Sequence, residues 1–478
     1  MLRRSSPLSK LSTLGMIIVL IPLGYGVYKV FHDMQAPEVS ISHMADRISP
    51  SVPVVVTATD APSGIKSISV EARYQENVIE IAQQKFSDGM QTQQLIFTLD
   101  ATNLPEGAVF DLEVTARDAS FGGFGFGNKT TLILPLRIDR TVPRASVKSS
   151  APVIFKGGSA CVVYSLSKEA QQTGVRVGDL FFPAFRQNNG DFVCFFAFPY
   201  NMEVKDFTPQ LFALDVAGNV FAASLDVNRK TRVFKTDTIH IPQNFLDLKS
   251  AEFSALVPGN MSDIERFLQV NGPVRRDNAA ALLQIGRDTV DTMLWKGAFL
   301  RLPRAASRAG FADFRTYYWQ GQKVDEQTHL GFDLASLKQA EVPAANSGRV
   351  VFANYLGIYG YLIVIDHGLG LQSIYSHLSE IGVNVGQNVE RGQIIAKTGM
   401  TGMAGGDHLH FGIMISGFEV TPLEWLDSHW VKDNIVDRIN ETGGKSPEFA
   451  VNPEDQAIQE NQEEQNPPAK KPVRGRRR

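Results

Sequence analysis

The stretch His408-Leu409-His410-Phe411 alternates imidazole with apolar side chains. In a β-strand, side chains at i and i+2 share a face, so His408 and His410 would project into one site while Leu409 and Phe411 cover the other side. Two more stretches carry the same chemistry, His329-Leu330-Gly331-Phe332-Asp333 and Tyr375-Ser376-His377-Leu378, and five of the nine histidines fall within residues 329–410. A fully extended run from His329 to Asp333 would hold the two Cα atoms about 13 Å apart, too far for two short bonds to one metal. The segment must therefore bend, and Gly331 is the natural place. Two imidazoles and a carboxylate suit zinc, with bonds of about 2.0 to 2.2 Å, and a three-ligand site leaves a fourth position for water. His367, in Ile365-Asp366-His367-Gly368, reads instead as a satisfied core histidine.

Together these residues resemble the lysostaphin-type, or LytM-type, zinc endopeptidases that cut peptidoglycan peptides, over roughly residues 326–427. The resemblance implies an antiparallel β peptidase domain holding one Zn2+ ion, with His329, Asp333 and His410 as metal ligands and His377 and His408 as catalytic residues. On that reading His408 orients or deprotonates water and His377 stabilises the developing oxyanion, and the two roles are exchangeable. Hairpin-like segments such as Gly348-Arg349-Val350-Val351 and Arg391-Gly392-Gln393-Ile394-Ile395 are similar to those of the family. The chain departs from it after Asp333, where Ala335 to Gln339 replaces the usual small-residue turn, and at Gly406-Asp407, where Gly-Pro often precedes the H-x-H motif. No substrate contact is assigned to Phe311–Trp319. The hairpins also resemble biotinyl and lipoyl carriers, but neither Lys338 nor Lys397 has a carrier lysine's setting.

Around this centre the 478 residues suggest about three domains. With 43% hydrophobic and 20% charged residues the chain is neither collagenous nor wholly disordered. A net charge of -3 argues against nucleic acid as a partner, and two cysteines exclude a four-thiolate metal site. Leu11 to Tyr28 carries no charge and follows Arg3, Arg4 and Lys10. We expect a transmembrane anchor over 11–30 behind a cytoplasmic 1–10, single-pass in a bacterial cell membrane, with the catalytic domain on the periplasmic or extracellular side.

From 37 to 238 the sequence is strand-like, and a weak repeat pairs Ala116-Arg117-Asp118 and Gly127-Asn128 with Ala213-Leu214-Asp215 and Gly218-Asn219. Two modules, 37–142 and 143–238, resemble immunoglobulin-like β-sandwiches, with a spacer as their ordinary role. Cys161 and Cys194 lie in the second, either bridged or as buried thiols. Ser262 and Glu265 have capping-box spacing, and Asn278 to Trp295 reads as a second helix, giving a helical connector over 241–300. The peptidase domain takes 301–430, and a disordered tail takes 431–478, with five acidic residues in 454–464 and six basic ones in 470–478. The fold class is thus mainly β. The expected partners are peptidoglycan, the membrane through the N-terminal helix, and cell-wall regulatory proteins. The competing function is a non-catalytic LytM-like regulator that activates another cell-wall hydrolase.

Overall fold

A computed structural model describes residues 24, 25, 28, 33–42, 45–87, 89–121 and 125–443. The chain is mainly β and divides into two compact units, one centred on the first 143 residues with 168–171 and 214–221, the other made of the remainder. The expected anchor falls, apart from three residues, outside the described residues. Among those described, no helix is long and apolar enough to cross a membrane.

In the first unit, strand Val109–Asp118 alternates exposed or half-buried residues with buried Phe110, Leu112, Val114 and Ala116, the period-two pattern of a sheet with one covered face. It lies in a five-stranded sheet with Arg47–Ile48, Lys129–Ile138, Ile65–Tyr74 and Asn77–Lys85. A three-stranded sheet of Glu38–Ile41, Ser51–Thr59 and Thr92–Asp100 contributes Val54, Val56 and Leu95 to the same core. The repeat has a structural basis. Asp118 accepts from the backbone N–H of Ser120 and Asn128, and Asp215 accepts likewise from Ala217 and Asn219, while the Asn128 and Asn219 amides donate to the same two carboxylates. Each aspartate thus closes the turn that follows its strand.

In the second unit, strand Ser159–Leu166 pairs with Phe192–Ala197 and Ala145–Ser150. Cys161 stands opposite Phe195, and Cys194 opposite Val162. One residue of offset places the two sulfurs on opposite faces of the sheet, so they are buried free thiols rather than a bridge. The connector begins as expected, with Ser262 and Glu265 closing a capping box on helix Asp263–Gln269. Its last helix spans Arg275–Ile285 and stops ten residues short of Trp295. A Cβ at Gly286 would lie 2.2 Å from the Gly417 nitrogen, so the chain needs glycine there to pass. Beyond it the Asp366 carboxylate accepts from the Thr289 hydroxyl at 2.7 Å and the Val290 N–H at 3.0 Å, which holds the segment extended.

The main sheet is antiparallel and runs Ala306–Ala309, Phe332–Ala335, Leu409–Ile415, Leu371–Leu378, Tyr361–Asp366, Gly348–Tyr355 and Asn388–Val389, with Phe418–Val420 beside Leu409–Ile415. Strands Leu371–Leu378 and Leu409–Ile415 are buried throughout, being central strands covered on both sides. The first ten residues of the expected tail, 431–440, are not disordered. Residues 428–440 are helical, because Val431, Ile435 and Ile439, spaced by four, are buried along one side. The acidic and basic runs beyond them lie outside the described residues.

Candidate metal centre and its cavity

Strand register builds the centre. Asp333 pairs with His410, and His410 pairs on its other side with Ser376, so the three occupy one row across adjacent strands. His329 ends the neighbouring strand Gln322–His329, and the chain turns through Leu330 and Gly331 before Phe332–Ala335 begins. Gly331 is required for space rather than for a left-handed backbone, since a Cβ there would come within 2.3 Å of the His410 ring. The bend brings His329 Nε2 to 2.9 Å from Asp333 Oδ1 and 2.9 Å from His410 Nδ1, which itself lies 3.0 Å from Asp333 Oδ1. All three residues are buried and form a cluster able to hold a metal ion.

The donor set fits a cation. His329 Nδ1 donates to the Gly310 carbonyl at 2.8 Å, so in the neutral ring Nε2 carries a lone pair facing a carboxylate and a second imidazole. With His410 in its Nε2–H tautomer, three lone-pair atoms lie this close and repel one another unless a positive charge sits among them. Burial opposes charge on Asp333, yet the facing His329, with His408 and His410, holds its carboxyl well below the usual carboxylate range. Burial pushes His410 down to about 4, leaving its ring neutral as a metal ligand must be.

His377 and His408 stand beside this cluster. Their ring centroids are 4.8 Å apart, and His377 lies 5.7 Å from the His410 ring. His377 Nδ1 donates to the Thr401 carbonyl and His408 Nδ1 to the Gly406 carbonyl, each at 2.8 Å, so each ring keeps Nε2 for other work. His408 Nε2 is 3.5 Å from Asp333 Oδ1. His377 has φ of 59°, a left-handed conformation uncommon for a residue with a side chain and costing on the order of 1 to 3 kcal/mol. His367 is the core histidine expected: one ring nitrogen meets the Ser347 carbonyl, the other the Ser373 hydroxyl, and burial pushes its pKa down to about 4.

Several residues of the site escaped sequence reading. Arg315 donates to Asp333 Oδ2 at 3.3 Å and comes from the segment to which no contact was assigned. Its signal was alternation, because Asp313 pairs with His329 and Arg315 with Gln327, placing both on the His329 face. Ser376 has a fully buried hydroxyl without a hydrogen-bond partner among the described residues. Tyr200, Arg275, Tyr359 and Glu419 line the same cavity, of about 670 Å³, as His329, Asp333, His377, His408 and His410.

Residues 327–422 match the model of Peptidase family M23, so the chain carries an M23 domain there. It is 38% identical over 96 residues to the murein hydrolase activator EnvC of Escherichia coli (strain K12), covering 20% of this chain and 23% of that protein. It is 36% identical over 95 residues to the DD-carboxypeptidase/endopeptidase Mpg of Neisseria meningitidis, covering 20% and 22%. Among solved structures, the catalytic domain of lysostaphin from Staphylococcus simulans aligns at 28% identity and a TM-score of 0.23, covering 26% of this chain and 94% of that one. The chain spans only 21% to 36% of the length of the first curated relatives it matches.

Proposed function

We propose that the protein is an exported, membrane-anchored zinc endopeptidase that hydrolyses peptide bonds in peptidoglycan stems or crosslinks. The observation that carries this reading is the convergence of His329 Nε2, Asp333 Oδ1 and His410 Nδ1 to about 3 Å, with two further histidines on the same cavity. His329, Asp333 and His410 would hold a zinc ion, which would supply Lewis-acid chemistry, polarising a scissile carbonyl and lowering the pKa of water from about 15.7 towards about 7. The rest of the chemistry belongs to the chain. A peptide lies in the cavity, and an imidazole Nε2 of the His377–His408 pair takes the proton of the attacking water. That ring then hands the proton to the leaving amine, while the other ring, entering the cycle protonated, donates its Nε2–H to the oxyanion. Both rings are anchored by Nδ1–H on a backbone carbonyl, so either can begin as the base; we assign that role to His408. Arg315 holds the outer oxygen of Asp333 and keeps the inner one aimed at the metal. The two β-modules are immunoglobulin-like in this reading.

Incubating the purified protein with intact sacculi tests the proposal: mass spectrometry should show new peptide termini, and a zinc chelator should abolish them. The second reading, a non-catalytic activator, is favoured by the likeness to EnvC. Unchanged sacculi, together with faster cutting by an added cell-wall hydrolase, would select it. Retention of all five chemical positions favours the enzyme.

A further inference from the structure

The Asp118 and Asp215 turns, equivalent in the repeat, differ in how their charge is balanced. Both lie within the first compact unit. In the second copy Asp139 joins the turn: its Oδ1 accepts from the Thr141 N–H at 3.0 Å, and its backbone carbonyl accepts from the Asn219 amide at 2.9 Å. Asp33 does the same in the first copy, its Oδ1 accepting from the Gln35 N–H at 3.1 Å and its carbonyl from the Asn128 amide at 3.3 Å. Asp33 and Asp139 are thus equivalent, as are Asp118 and Asp215. Asp139 and Asp215 share a cation, because the Lys168 ammonium lies 2.7 Å from an oxygen of each. Lys168 follows strand Ser159–Leu166, which pairs with Ala145–Ser150. At the matching place in the first copy, after strand Ser51–Thr59, which pairs with Glu38–Ile41, stands Asp60. A carboxylate therefore faces Asp33 and Asp118 where an ammonium faces their counterparts. Oxygen atoms of the three lie within 4.8 Å of one another, and all three residues are buried. None of them pairs with a lysine, arginine or histidine among the described residues. Buried carboxylates this close repel one another unless a cation joins them.

We propose that Asp33, Asp60 and Asp118 bind one calcium ion, which takes the place that the Lys168 ammonium holds in the second copy. The donors are all oxygen, a set that suits a hard cation rather than zinc. The Ser63 hydroxyl, bonded to both Asp33 and Asp60, adds a fourth oxygen. The span fits as well, since two oxygens on one calcium at about 2.3 to 2.6 Å lie no more than about 5 Å apart. Magnesium demands a smaller, octahedral cage and gives up its waters reluctantly, so it is the poorer ligand here. The ion ties the segment before Glu38–Ile41 to the turns after Ser51–Thr59 and Val109–Asp118, fastening one end of the module.

This site is independent of the peptidase reading, and either can fail without the other. Calorimetric titration of the zinc-loaded full chain with calcium tests it, the histidine cluster being kept out of the count by its zinc. The wild type should bind one equivalent of calcium and unfold at a higher temperature in its presence, with a smaller rise in the same concentration of magnesium. Asp60→Asn should bind calcium at least about tenfold more weakly, the loss seen when even an outer partner of a metal is removed, with its zinc content unchanged. Asp60→Lys restores the ammonium of the second copy, so it should bind no calcium there and unfold at a temperature that calcium no longer moves. No saturable calcium binding by the wild type, an equal effect of magnesium, or unchanged calcium affinity in Asp60→Asn overturns the site. If Asp60→Lys does not fold, the wild type and Asp60→Asn still decide the outcome.

Discussion

His329 and Asp333 each supply one of only three ligand atoms, and each sits within 3 Å of the other two groups it must share the ion with. Replacing either with Ala should remove zinc and hydrolysis together; stoichiometric zinc by elemental analysis in both variants would refute the assignment. His377→Ala should separate the two properties, keeping zinc while turnover falls about 100- to 1,000-fold, the loss seen when one oxyanion donor is removed. Unchanged turnover would take His377 out of the mechanism. Glu419 carries a pH dependence of its own. Its folded-state pKa is raised from 4.5 to about 7, so below the lower value both states hold the proton and the group costs nothing. Between the two values the unfolded state releases the proton first, and stability falls as pH rises, by on the order of 3 kcal/mol in full, with the cost complete above about 7. Denaturant unfolding should therefore show a smaller decline from pH 4.5 to 7 in Glu419→Gln than in the wild type, and parallel profiles would contradict it.

At the scale of elements, the connector is a brace. Leu246, Phe253, Phe267, Val270 and Leu282 from the helical segment share one core with Leu362, Val364, Ile374 and Met414 of the main sheet. Each such side chain is worth about 1.5 to 3 kcal/mol on burial. The five together approach 10 kcal/mol, as large as the whole stability of a typical domain. A chain beginning at Gly297 should accordingly be unfolded or insoluble by circular dichroism. If that truncation instead folded and cut faster than the full chain, the helices would be a displaceable restraint. What the sequence revealed of these elements followed the range of each signal. The H-x-H strand and the Ser262 capping box are written within four residues, and both were legible. The end of the last helix was not, because it depends on Gly286 meeting Gly417, a contact across 131 positions that no local pattern records.

Across the second unit, the β-module that begins near residue 144 does more than fill distance. Trp425 donates to the Ser159 hydroxyl at 3.0 Å and packs edge-on against Phe195, Trp295 and Phe299. The Glu424 carboxylate accepts from the Ser159 N–H and pairs with Arg232 at 2.9 Å. This module also delivers Tyr200 to the cavity that the five site residues line. Reading it as a spacer missed that role, since a single tyrosine in a loop carries no mark of the histidines it meets more than a hundred residues later. The central claim is that one zinc ion on His329, Asp333 and His410 makes this assembly a peptidase, and titrating the metal-free protein with zinc while counting new amino termini released from peptidoglycan tests it most directly. The account predicts no release at zero zinc and a linear rise to a plateau at one equivalent. Release that persists without metal, or one equivalent bound tightly with no release, would contradict it.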